Sequence, residues 1–166
     1  MKLETKRLCV RPLLETDWQE MRPIFTDFNH SQYARFDMPL PTEEDAARAL
    51  TKSFAESNLF FAVFQKEPRD MIGYVCFHKD GEKYDLGYCF HSAYHRKGYA
   101  YESTKALIDY FIAECGATGF TAGTAIDNIP SCKLLRKLGF VCTGTETVSF
   151  DQVFSFQGGN FVLNVK

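Results

Sequence analysis

Leu8 and Val10 fall on one face of the segment Arg7 to Arg11, and this period of two predicts a first strand. Thr16 or Asp17 then caps a helix expected to run through Ile24. From Asp27 to Pro41 the chain is aromatic and irregular. Thr42-Glu43-Glu44-Asp45 follows as an acidic first turn, which the dipole at a helix N-terminus favours. That second helix should reach about Ser57 and bury Ala46, Ala49, Leu50 and Phe54. Three strands in hairpin order come next, Leu59 to Gln65, Met71 to Lys79 and Lys83 to His91, the last two joined by an Asp80-Gly81 turn. Ala100, Thr104, Leu107, Ile108, Phe111 and Ile112 form the apolar stripe of a helix from Tyr99 to Glu114, with Gly116 placed to end it. Thr118 to Gly123 reads as a strand, Pro130 to Leu138 as a short helix, and Phe140 to Val165 as a terminal strand pair or triplet.

The order β-α-α-β-β-β-α-β-α-β-β predicts an α/β fold with a mixed, mostly antiparallel sheet of six to seven strands flanked by about four helices. Nothing resembling a linker or repeat interrupts it, so residues 1–166 are expected to form a single domain. In such sheets ligands gather near strand ends and helix N-termini.

Charge narrows the function classes. With 19 Lys and Arg against 21 Asp and Glu, the net charge of −2 gives no general basic field for nucleic acid or an anionic membrane. The opening stretch has no apolar leader core and no apolar run approaches membrane-spanning length, so a cytoplasmic protein is expected. The six cysteines show no C-x-x-C and no paired histidine spacing. They are read as reduced thiols serving as small buried hydrophobes, with no metal.

The richest stretch runs from Leu86-Gly87-Tyr88-Cys89-Phe90-His91 through a basic loop, His95-Arg96-Lys97, into Gly98-Tyr99-Ala100-Tyr101-Glu102. A strand feeding a glycine-containing basic loop at a helix start offers clustered N–H donors, partial positive charge from the helix and two full charges, which suits a pyrophosphate. The plain alternative is a surface loop whose glycine serves only the turn. About thirty residues on, Asn128-Ile129-Pro130-Ser131 opens a helix that ends in Leu138-Gly139-Phe140. Taken alone, this is a capped amphipathic helix.

Together and in this order the segments resemble the GNAT acetyltransferase superfamily, in particular its Rim-type ribosomal-protein N-terminal acetyltransferase branch. Glu4-Thr5-Lys6-Arg7-Leu8-Cys9-Val10-Arg11-Pro12-Leu13 looks like that branch's first strand, Gly98-Tyr99-Ala100-Tyr101-Glu102 like its cofactor loop, and Asn128, Ser131, Leu138, Gly139 and Phe140 like its last motif. The resemblance implies a GNAT-like sheet splayed at the cofactor site and acetyl-CoA in a V-shaped opening between the central strand and the strand after the long helix. Pantetheine would pair with Cys89, Phe90 and His91, and the pyrophosphate would sit on the N–H groups of His95, Arg96, Lys97, Gly98, Tyr99 and Ala100. Where the family has Gln or Arg this chain has His95, and where many members have a proton-donating Tyr it has Leu135. The role of protonating the thiolate then passes to Ser131, with Asn128 orienting the cofactor or a water.

The implied reaction is acetyl transfer to a primary amine, a protein N-terminus or a small molecule, by direct attack in a ternary complex. A lysine amine costs about 4.6 kcal/mol to deprotonate at pH 7 and an α-amine only about 1.1, so the demand on a base depends on the acceptor. Asp85 is one candidate base, with His91 and solvent as others. Phe28, Tyr33, Phe36 and Phe156 are candidate walls of the acceptor pocket, which the Gln152 to Gly159 segment would help form, with Asp27 or Asp37 to hold an ammonium group. The expected protein is a monomer or homodimer. Binding of acyl-CoA without turnover is the alternative that the missing Tyr leaves open.

Overall fold

The computed structural model describes residues 1–150 and 154–165. Its strands are β1 (Leu3–Glu4), β2 (Leu8–Pro12), β3 (Phe60–Gln65), β4 (Met71–Asp80), β5 (Lys83–Phe90), β6 (Gly119–Ala125), β7 (Val141–Phe150) and β8 (Phe154–Asn164). Its helices are α1 (Trp18–Asn29), α2 (Glu44–Glu56), α3 (Tyr99–Cys115) and α4 (Ile129–Lys137). The hydrogen-bonded strand order is β1-β2-β3-β4-β5-β6-β8-β7, with β5 and β6 parallel. The fold is the mixed, mostly antiparallel α/β sheet that the sequence predicts, extended by the two-residue β1. Contacts divide the chain into two units, Met1–Phe77 with Gly87–Leu107, and His78–Leu86 with Ile108–Lys166.

In the first unit α1 outruns its predicted end at Ile24 by five residues, because apolar positions continue at three- and four-residue spacing through Met21, Ile24, Phe25 and Phe28. Met21, Ile24 and Phe25 are buried in the core with Leu13, Ala47, Phe60 and Tyr74. This extension makes Asp27 a helical residue rather than part of an irregular loop. On α2 the buried stripe is Ala47, Leu50, Thr51 and Phe54, while Ala46 and Ala49 are exposed, contrary to expectation. The phase is set by Phe54, whose ring stacks on Phe60 at 4.0 Å and meets Phe25 edge-on at 6.5 Å. Residues 47, 50 and 51 then fall on the same face by helical geometry. Between β4 and β5 the backbones approach so closely at Gly73 that a Cβ there would lie 2.5 Å from the Cys89 carbonyl oxygen.

In the second unit the parallel ladder joins Lys83, Tyr84 and Asp85 to Gly119, Phe120 and Thr121. β6 pairs with β8 as far as Ala125 opposite Gly158, and β8 pairs in turn with β7, so the chain after Phe140 forms a strand pair. Tyr84 packs between Phe111, 4.7 Å away, and Phe120, 6.2 Å away. Gly139 at φ 97° turns the chain out of α4. Cys115 and Cys142 are exposed, which corrects their reading as buried hydrophobes; the first lies at the end of α3 and the second on the edge strand β7.

Candidate active site

A short 3-10 turn, Ser92–Tyr94, links β5 to the basic loop. It closes on itself: Tyr94 N–H donates to the His91 carbonyl and His95 N–H to the Ser92 carbonyl, both at 3.0 Å. The His95 N–H is therefore engaged, and the predicted run of donors begins at Arg96. The His95 ring is engaged as well, with Nε2 2.6 Å from the Phe90 carbonyl oxygen. Arg96 and Gly98 take the left-handed conformation, at φ 60° and 81°, around Lys97. Such a concave turn points successive N–H groups to one side, and for Arg96 it costs about 1–2 kcal/mol. α3 makes its first helical bond from Glu102 N–H to Gly98 O, so the N–H groups of Tyr99 and Ala100 lie at its positive end.

This conformation is held from the first strand. The Arg7 guanidinium donates to the Lys97 carbonyl at 2.8 Å, pairs with the Glu102 carboxylate at 2.7 Å and lies over the Tyr99 ring at 4.4 Å. The Thr5 hydroxyl and the Arg7 N–H donate to the other Glu102 oxygen, at 2.6 and 2.9 Å. Burial alone would raise the Glu102 pKa; the bonds from Thr5 and Arg7 outweigh it and lower the pKa. Both ends of this clamp lie in segments that the sequence singles out, yet no spacing rule pairs residues 95 apart.

At the end of β5, His91 N–H donates to Ile72 O at 3.0 Å. In an antiparallel ladder the N–H and C=O of one residue face the same neighbour and the sense alternates along the strand. The main chains of His91 and Cys89 thus face β4, and only Phe90 among the three expected pantetheine partners faces away from it. For Cys89 and His91 this register leaves the side chains, rather than the main chain, to meet a ligand at β5.

In the second unit Asp85 is half-buried and accepts a 2.9 Å bond from the Thr121 hydroxyl. Asn128 is the cap of α4: its Oδ1 accepts the Ser131 N–H at 3.3 Å. Ser131 is third in that helix, behind Ile129 and Pro130, and half-buried.

Residues 7–141 match the family model of the acetyltransferase (GNAT) domain. The chain belongs to the GNAT acetyltransferase family. It is similar to an uncharacterized N-acetyltransferase, YnaD, of Bacillus subtilis (strain 168), 32% identical over 141 residues that cover 84% of this chain and 82% of that protein. Among solved structures it is similar to the ribosomal-protein-S5-alanine acetyltransferase of Vibrio fischeri, with TM-score 0.85, 19% identity and coverage of 99% and 96% of the two chains. It is also similar to RimL, a ribosomal L7/L12 alpha-N-protein acetyltransferase in complex with coenzyme A, with TM-score 0.87, 14% identity and coverage of 99% and 98%. At these identities the two structures speak for the GNAT fold.

The residues expected to form the acceptor pocket of this GNAT protein differ in burial and in the unit that carries them. Phe28, Tyr33 and Phe36 are half-buried, and Asp37 is exposed with its carboxylate on the Met38 N–H at 2.7 Å. Phe156 is half-buried in β8, 6.0 Å from the Phe154 ring, and Gln152 lies outside the described residues. Asp27 accepts from the Ser92 hydroxyl at 2.5 Å and the Ser92 N–H at 2.8 Å. Among the described residues no His, Cys, Asp and Glu cluster suits a metal ion.

Cys89 packs against the first unit's core and burial pushes its thiol up to about 12. Its thiolate fraction at pH 7 is then on the order of 1 in 100,000, which leaves it unfit as an acyl carrier. Cys89→Ala is expected to keep kcat within about threefold, and mass spectrometry after incubation with acetyl-CoA to show no acetylated cysteine in the wild type. An acetyl-Cys89 adduct together with lost turnover in the variant would establish a covalent route instead.

Proposed function

We propose that this GNAT protein is an acetyl-CoA-dependent N-acetyltransferase of the Rim-type branch, one cytoplasmic domain that acetylates a primary amine by direct attack in a ternary complex. The observation that carries this reading is the donor run from Arg96 to Ala100. Two left-handed residues, a helix start and the Arg7 clamp on the Lys97 carbonyl together form a preorganised anion cradle. The cradle fits the pyrophosphate of coenzyme A. The Phe90 N–H, facing away from β4, is suited to a pantetheine carbonyl, while the Phe90 carbonyl is held by the His95 ring.

Acetyl-CoA supplies an activated acyl group and a thiolate leaving group when bound. Ser131, in the first turn of α4, is assigned to give the thiolate its proton, where the helix N-terminus favours developing negative charge. Asn128 holds that turn, so it positions Ser131. Asp85 is assigned as the base, relayed through water and oriented by Thr121. The walls for the acceptor are assigned to Phe28, Tyr33 and Phe36.

Two measurements test the reading. A screen of small amines and N-terminal peptides with thiol release as readout should find acetyl-CoA-dependent turnover, and binding without turnover across the whole panel would reduce the protein to an acyl-CoA-binding module. Calorimetry should show pantetheine, which lacks the phosphates, binding about 100-fold or more weakly than coenzyme A, since charge-assisted hydrogen bonds contribute roughly 1.5–3 kcal/mol each. Equal affinities would remove the anion cradle.

A further inference from the structure

The first unit contains a cleft of about 610 Å³ lined by Gln19, Arg22, Thr26, Asp27 and His30 of α1 and its C-cap, and by His91 at the end of β5. We propose that this cleft binds an anionic group, a carboxylate or a phosphate, carried by the amine acceptor. The proposal rests on the N-acetyltransferase reading and specifies the substrate class of that activity.

The cleft holds an uncompensated cation. Arg22 donates from Nε to the Thr42 carbonyl at 2.5 Å, which anchors the guanidinium. Among the described residues, no carboxylate lies within ion-pair distance of Arg22. Its terminal nitrogens present the planar fork that matches a carboxylate or phosphate. The one carboxylate in the lining, Asp27, is already engaged by both donors of Ser92. Burial would push its pKa up, but the Ser92 bonds and the nearby His91 and His95 hold it below the usual range. Asp27 is thus an ionised group satisfied by the β5–α3 turn.

The two histidines are set in opposite senses. His91 Nδ1 accepts the Ala93 N–H at 3.2 Å, so in the neutral ring Nε2 carries the proton and donates. Asp27 Oδ1 lies 3.8 Å from that same Nδ1, too far for a hydrogen bond. His30 Nδ1 lies 2.7 Å from the Thr26 carbonyl, an acceptor only, so Nδ1 carries its proton and Nε2 presents a lone pair. The anion therefore belongs with Arg22 and His91. His30 offers an acceptor, which suits N–H groups of the same ligand. This assignment also removes His91 as a general base, because its free nitrogen already carries a proton in the neutral ring.

Matched small amines test the proposal. β-Alanine and aminoethyl phosphate carry the two anions on a two-carbon amine, and β-alaninamide and ethanolamine are their neutral counterparts. The expected result is a kcat/KM at least about tenfold higher for one anionic amine than for its counterpart, the gain of roughly one charge-assisted bond. That ratio should fall to near one in Arg22→Gln and recover in part in Arg22→Lys. Equal turnover of anionic and neutral amines, or a preference that survives Arg22→Gln, would overturn it. If no amine is turned over, the N-acetyltransferase reading fails by itself, and the cleft is judged by NMR titration of the His30 and His91 ring signals with the same compounds. Shifts specific to an anionic amine and lost in Arg22→Gln support the site, whereas shifts shared with the neutral amines, or none, overturn it.

Discussion

Replacing Gly98 with valine is expected to weaken coenzyme A binding by about 100-fold or more while leaving the fold in place. Gly98 sits at φ 81°, where a β-branched side chain is strongly disfavoured, and its added Cβ would lie 3.4 Å from the Arg7 guanidinium. The backbone relieves that strain by rotating, and the rotation turns the N–H groups of Gly98 and Tyr99 away from the phosphates. Two charge-assisted bonds at roughly 1.5–3 kcal/mol each correspond to at least about two powers of ten in affinity. Local strain of about 1–2 kcal/mol lowers melting by only several degrees for a chain of this length. Calorimetry and a melting curve on the same preparation read both quantities, and unchanged affinity in the variant would remove the loop from the cofactor site.

Ser131→Ala is expected to lower kcat by about 10- to 1,000-fold with a smaller change in acetyl-CoA affinity. The structure makes this test cleaner than the sequence alone allows. The cap of α4 is Asn128, and the bond it accepts comes from the Ser131 main chain, which alanine keeps. Asn128→Ala, by contrast, should cost about 1 kcal/mol of stability along with the placement of Ser131. Slow turnover with a wild-type melting temperature in Ser131→Ala identifies a proton donor. Unchanged kcat in that variant would mean that the thiolate takes its proton from water.

The two chemistry-bearing segments were legible because each is local. Gly98 marks a left-handed turn, Asn128 and Pro130 mark a helix start, and both features depend on neighbouring residues only. The run of elements was legible for the same reason, since periodicity needs a single segment. What escaped depends on partners remote in sequence. The phase of α2 follows from where Phe60 places Phe54, and the engagement of Asp27 follows from Ser92, 65 residues on. The commitment of the His91 main chain to β4 depends on pairing register, which no motif encodes. The Arg7 clamp had a recognisable residue at each end and nothing in the sequence to join them.

That clamp ties cofactor recognition to the order in which the chain is assembled. Closing a contact across 95 positions carries a loop-closure cost, which the hydrogen bonds and ion pair of the clamp help offset. A nascent chain that has not yet emerged past Glu102 lacks one half of the clamp, however well its hairpins have formed. Under the proposed function, coenzyme A binds only molecules in which this clamp is closed, and by mass action a concentration 100 times its dissociation constant would add about 2.7 kcal/mol to their stability.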